Sequence, residues 1–295
     1  MSLQRSRLPT TNLTVAHGTV GGFRRSISFA ERVAAAQAGG ANQIGWWVQD
    51  YLAELAKGRT AGELRRIADD AGVRVVEIEF LRGWTGLGTA ELLGGLAKPM
   101  SWSEQENYLF EMADAFGADH VNVGDDGVSA PILAWPELVE RFDGICQRAA
   151  EHGLLVMIEP MPWTFFSNLA DGWRLIEASS QRNCALLLDT WHYFRGSGNE
   201  AALAALPPDA IGLIQLDDAG PPEGPPLEDT MYRRRFPGEG DFDLPRLFEV
   251  LNAKGVRVPV CVEVMGDVVD ALDPAEAVRR ARETATRVLE PAGWM

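Results

Sequence analysis

Apolar runs that each end on one polar residue recur through the second half of the chain. Leu154-Leu-Val-Met-Ile runs into Glu159, Ala185-Leu-Leu-Leu into Asp189, Ile211-Gly-Leu-Ile into Gln215, and Val260-Cys-Val into Glu263. Short apolar runs of this kind, bounded by turn residues, are the pattern of strands buried on both faces. The pattern predicts strands over 13–17, 43–48, 73–80, 120–124, 154–159, 184–189, 211–215 and 258–263. Helical spacing fills the intervals at 29–38, 61–71, 103–116, 136–152, 168–179, 199–206, 244–254 and 274–289. Gly72, Gly117 and Gly153 follow three of these segments as stop signals. Two longer connections, 81–101 and 219–241, read as loops lying over one end as lids. The second holds five prolines and four glycines, so it is expected to contain no regular element.

Eight strand–helix units predict an α/β protein, a single (β/α)8 TIM barrel spanning 1–295. An open doubly wound sheet is the alternative. No Gly-x-Gly-x-x-Gly follows the first strand, which weakens a dinucleotide-binding version of it.

Composition narrows the classes. A 46% hydrophobic content and nine Trp supply a sizeable core. The formal net charge of −15 is the wrong sign for a nucleic-acid binder or a polybasic membrane anchor. No apolar run approaches the roughly 18 residues of a membrane helix. Arg5 and Arg7 are not followed by a signal-peptide-like apolar stretch. Cys146, Cys184 and Cys261 have no short spacing and form no disulfide or zinc-finger framework. A soluble, cytoplasmic protein is expected.

In a barrel of this type the carboxyl ends of the strands form the active site. Glu159, Asp189, Gln215 and Glu263 all fall at that end, on strands five to eight. Three carboxylates and an amide oxygen suit a hard divalent cation, Mn2+ or Mg2+ first, with Zn2+ or Co2+ as further candidates. Clustered carboxylates repel one another unless a cation joins them.

Several motifs occur in a telling order: Ile158-Glu159-Pro160, Leu188-Asp189-x-x-His192, a polar residue on strand seven, Arg-x-x-Pro-Gly-Glu-Gly at 234–240, and Val262-Glu263. This order resembles the xylose isomerase-like barrel superfamily, which includes sugar and sugar-phosphate isomerases and epimerases, inosose dehydratase and 3-dehydroshikimate dehydratase. The resemblance is strong over the second half and rests on strand–helix rhythm in the first. It implies Glu159, Asp189, Gln215 and Glu263 as metal ligands, with His192 beside the metal. It also implies Arg234 as the arginine that binds a substrate oxygen or carboxylate. His17, Trp47 and Glu79 are further substrate-side candidates, and Glu77 is another strand-end acid. Gln215 departs from the His that most epimerases of the group carry there; a Gln at that place occurs among the dehydratases. Strand two ends in Trp46-Trp47-Val48 where the family often has Glu. The DNA-repair endonucleases of the same fold use a His-rich zinc cluster, against which four His in the whole chain argue.

The chemistry implied is proton abstraction next to a carbonyl, giving an enediolate stabilised by the divalent metal. Glu159 or Glu263 would act as base, with His192 as a further proton carrier. A metal-dependent isomerase or epimerase of a sugar or polyol ketone leads. A dehydratase of the 3-dehydroshikimate or inosose type is the alternative, and a non-catalytic carbohydrate-binding barrel the second. The partner expected is a small sugar, polyol or cyclic keto-acid, and assembly into a homo-oligomer is compatible with the chain.

Overall fold

Ten strands and twelve α-helices form among residues 13–22, 27–86, 100–125 and 133–295, which the computed structural model describes. The strands are β1 (Thr14–Val15), β2 (Gln43–Trp47), β3 (Arg74–Leu81), β4 (His120–Val123), β5 (Leu155–Ile158), β6 (Cys184–Asp189), β7 (Ile211–Leu216), β8 (Asp218–Ala219), β9 (Arg234–Arg235) and β10 (Val260–Val262). The helices are α1 (Phe29–Ala38), α2 (Val48–Ala56), α3 (Ala61–Asp70), α4 (Trp102–Phe116), α5 (Trp135–Glu151), α6 (Leu169–Ala178), α7 (Thr190–Arg195), α8 (Glu200–Ala205), α9 (Pro226–Tyr232), α10 (Leu244–Ala253), α11 (Asp267–Asp270) and α12 (Pro274–Leu289).

Eight parallel strands close in the order β1-β10-β7-β6-β5-β4-β3-β2, and β1 pairs with both β10 and β2 to complete the ring. The expected (β/α)8 barrel is therefore present. Its interior is filled by Ala16, Leu155, Met157, Ala185, Leu187, Leu213 and Cys261. The larger core lies between the strands and the surrounding helices. There Phe29 and Phe116 bracket the indole of Trp46, with ring centroids 4.0 and 5.4 Å away. Fully burying one side chain such as Phe29 contributes about 1.5–3 kcal/mol.

Local signals set the helix ends. Ser28–Glu31, Thr60–Glu63 and Ser101–Glu104 are reciprocal capping boxes that start α1, α3 and α4. Gly117 ends α4 in the left-handed region, as its place after the apolar repeat predicts.

Several boundaries differ from the sequence reading. The first strand covers only Thr14–Val15, and His17 opens a short 3-10 turn. The second strand stops at Trp47, and Val48 begins α2, a helix the apolar run Trp46-Trp47-Val48 conceals. The connection 219–241 is not structureless: α9 and the antiparallel pair β8–β9 lie within or at the edge of it. Proline density misleads here because Pro225 and Pro226 sit at the N-cap and first turn of α9, where no amide hydrogen is needed. The other expected lid, 81–101, falls largely outside the described residues.

Candidate active site at the carboxyl ends of the strands

Asp189 closes β6 and pairs in register with Gln215 on β7, which pairs with Cys261 on β10. Partners in register share a face, so all three point into the barrel. Glu159 and Glu263 stand one residue past β5 and β10. Their amides donate to the Val123 and Leu216 carbonyls of the neighbouring strands at 3.0 and 3.1 Å. All four oxygen-bearing side chains are buried.

The Asp-x-x-His spacing has a local cause. Asp189 is the N-cap of α7, and its Oδ1 accepts from the His192 amide at 2.8 Å. That first turn swings His192 back over the strand end, where its Nε2 lies 3.1 Å from Glu159 Oε1 and 4.0 Å from Asp189 Oδ2. Glu159, Asp189 and His192 offer ligand atoms within 4.8 Å of one another, a group able to hold a metal ion.

Arg234 reaches the same place from β9. Its Nη1 donates to Asp189 Oδ2 at 2.7 Å, to Glu263 Oε2 at 3.2 Å and to Asp217 Oδ2, while Nε and Nη2 donate to Thr230 Oγ1 at 3.1 and 2.8 Å. Two features fold the 219–241 excursion down to make this possible. Asp218 accepts from the Ala219, Gly238 and Phe242 amides at 2.8, 3.0 and 3.0 Å, so the Pro-Gly-Glu-Gly turn wraps a carboxylate. Gly266 bridges Arg233 with φ +95°, and a Cβ there would stand 2.3 Å from the Tyr232 carbonyl oxygen. Arg234 lines the cleft as expected of a substrate residue, but most of its donors are committed to protein oxygens.

The charge balance is uneven. Burial pushes the Glu263 carboxyl well above the ordinary range, and Glu79, Asp189 and Glu159 push the same way against Arg234. Burial followed by Glu77 and Glu159 raises Glu79, and burial followed by Asp189 raises Asp217. Burial also acts upward on Asp189, yet Arg234 and His192 outweigh it and hold that carboxyl low. Burial alone would weaken the Arg234 charge, but Asp189, Asp217 and Glu263 hold the guanidinium protonated. The site thus contains more carboxyl than its guanidinium balances. Gln215 Oε1 is buried with no hydrogen-bond partner among the described residues, while Gln215 Nε2 donates to Glu77 Oε1 at 3.3 Å. Excess carboxylate and an orphaned amide oxygen on adjacent strand ends fit a hard divalent cation.

The opposite wall holds the remaining predicted residues. Trp47 donates from Nε1 to Glu79 Oε2 at 3.1 Å and stacks on His17 at 4.5 Å. His17 Nε2 pairs with Asp50 at 2.7 Å, so it supports Trp47 from beneath, and the cleft itself is lined by Trp47 and Glu79. Trp46, its neighbour, belongs wholly to the core. The cleft measures about 290 Å³ and brings together Trp47, Glu79, Glu159, His192, Arg234 and Glu263. Sequence reasoning missed Asp217, Thr230 and Trp163. Asp217 carried a signal, an acid directly past an apolar strand. Trp163, which meets the His192 ring edge-on at 5.1 Å, carried none.

A sequence profile described as xylose isomerase-like TIM barrel matches residues 33–288. The chain belongs to this family. Within the xylose isomerase-like TIM barrel family it is similar to a Pseudomonas aeruginosa protein named 3-dehydroshikimate dehydratase, 29% identical over 210 residues. A Pseudomonas putida protein of the same name is 24% identical over 244 residues. The matches cover 70% and 82% of this chain but 31% and 37% of those relatives, so the chain spans about a third of their length. Among solved structures, the IOLI protein with a bound zinc atom aligns with a TM-score of 0.78 at 17% identity, covering 96% of this chain and 99% of that one. That likeness concerns the fold alone. No helix among the described residues is long and apolar enough to cross a membrane.

Proposed function

We propose that the protein is a divalent-metal-dependent dehydratase of a cyclic hydroxy-ketone acid of the 3-dehydroshikimate kind. The observation that carries this is the buried Glu159–His192 pair, 3.1 Å apart, in a cleft that Arg234 and Glu263 also line, with Asp189 Oδ2 4.0 Å from His192 Nε2. Dehydration next to a ketone needs a base for the carbon-bound proton and an acid for the departing hydroxyl, and this pair supplies both. The names of the two Pseudomonas relatives support the choice, as does Gln215 in place of the commoner His.

Glu159, Asp189, Gln215 and Glu263 would hold the cation. Bound there, it would act as a Lewis acid on the ketone oxygen and an adjacent hydroxyl; the zinc atom bound to the IOLI protein is consistent with a metal in this fold. Glu159 takes the proton from the carbon beside the ketone. His192, whose Nδ1 has no hydrogen-bond partner among the described residues, gives a proton from Nδ1 to the hydroxyl that leaves as water. Glu159 then loses its proton to solvent and His192 Nδ1 takes one up from solvent, so both groups are restored with water as the released product. Trp47 packs against a ring face, and Arg234 keeps Asp189 and Glu263 oriented.

A second reading, isomerisation or epimerisation of a ketose or inosose, is favoured by Glu263. Burial holds its carboxyl well above the ordinary range, so it can serve as a second proton carrier beside Glu159. Incubation of the metal-loaded protein with 3-dehydroshikimate should yield the ultraviolet absorbance of an aromatic dihydroxybenzoate. Deuterium entering a ketose or inosose in D2O, without aromatic product, would select the second reading. No product and no exchange with any divalent metal would overturn both.

A further inference from the structure

We infer that Glu77 is a positioning residue that sets the orientation of the Gln215 amide and so turns its carbonyl oxygen toward the cation site. The inference rests on the proposal that Gln215 is a ligand. Gln215 and Glu77 are on β7 and β3, which lie on opposite sides of the closed ring, four strands apart in its order. Their hydrogen bond therefore crosses the barrel interior, 3.3 Å from Gln215 Nε2 to Glu77 Oε1. Both side chains are buried, Glu77 completely.

A primary amide is nearly symmetric in shape, and either end can face a neighbour. An ionised carboxylate accepts only, so it admits the NH2 end and turns the C=O end away. The same Glu77 oxygen also accepts from Asn122 Nδ2 at 2.7 Å, and His120 Nε2 lies 3.6 Å off. These neighbours fix the carboxylate before it fixes the amide. Space for it comes from Gly45 on β2, where a Cβ would stand 2.9 Å from Glu77 Oε2. The orphaned Gln215 Oε1 is what remains on the other side. A metal-ligating histidine gets its orientation from an acceptor on its second nitrogen; here an amide ligand gets it from a carboxylate on its nitrogen.

Mn2+ titrated calorimetrically into the metal-stripped full chain tests this. Glu77→Gln, which lets the amide face either way, should weaken Mn2+ binding by roughly 10–100-fold, the usual cost of losing an orienting partner. Glu77→Asp keeps the charge, withdraws the carboxylate, and should weaken binding in the same direction. In a Gln215→Ala background, Glu77→Gln should leave the affinity unchanged, because no amide remains to orient. A purely structural role for Glu77 predicts otherwise: unchanged Mn2+ affinity with a lowered melting temperature, or an equal loss in both backgrounds. Either result overturns the inference. Absent Mn2+ binding in the wild type, or unchanged binding in Gln215→Ala, would instead overturn the ligand assignment on which it rests.

Discussion

Glu159→Gln is expected to lower kcat for dehydration by about 10²–10⁴-fold, the range typical of a lost proton-transferring group. The substitution keeps an oxygen that can ligate and nearly the same volume, so metal binding should persist while the base is lost. The His192 ring should stay in place, because its position is set by the Asp189 cap and by Trp163 rather than by Glu159 alone. Steady-state rates on the aromatising substrate, measured alongside metal content, separate the two roles. Metal retained with activity within about tenfold of wild type would remove Glu159 from proton transfer, since general acid–base groups are worth more than that.

Arg234→Met is expected to destabilise the metal-free protein by about 3–5 kcal/mol, the cost of leaving buried partners of an ion pair uncompensated. Arg234 is almost fully buried and meets Asp189, Asp217 and Glu263 at once. Met keeps a flexible chain of similar reach without the charge. Saturating Mn2+ should restore part of the loss, because a ligand at about 100 times its Kd adds about 2.7 kcal/mol to the folded state. Urea unfolding with and without Mn2+ measures both terms. A loss below about 1 kcal/mol, the scale of an exposed salt bridge, would mean that Arg234 is not the counter-charge of the cluster.

The contrast between Asp189 and Arg234 explains what can be read from sequence. Asp189, Gln215, Glu159 and Glu263 are legible because parallel strands are buried on both faces, so a polar residue at the end of an apolar run stands out. His192 follows from Asp189 by helical geometry, three residues along. Arg234 is visible as part of a motif, but its grip on three carboxylates is not, because it depends on Gly266 meeting Tyr232 from another part of the chain. His17 reads as a substrate residue, yet its partner Asp50 sits on α2, a helix hidden in sequence because Trp47 caps it without a side-chain bond. The cross-barrel link from Glu77 to Gln215 joins residues far apart in the chain and has no local signal at all.

Metal stoichiometry tests most directly whether these strand ends bind a divalent cation. Elemental analysis after equilibration with Mn2+ should find a single cation per wild-type chain, with binding lost in Asp189→Ala and strongly weakened in Glu263→Ala. Absence of stoichiometric binding with Mn2+, Mg2+, Zn2+ and Co2+ alike, or binding that survives both substitutions unchanged, would contradict it.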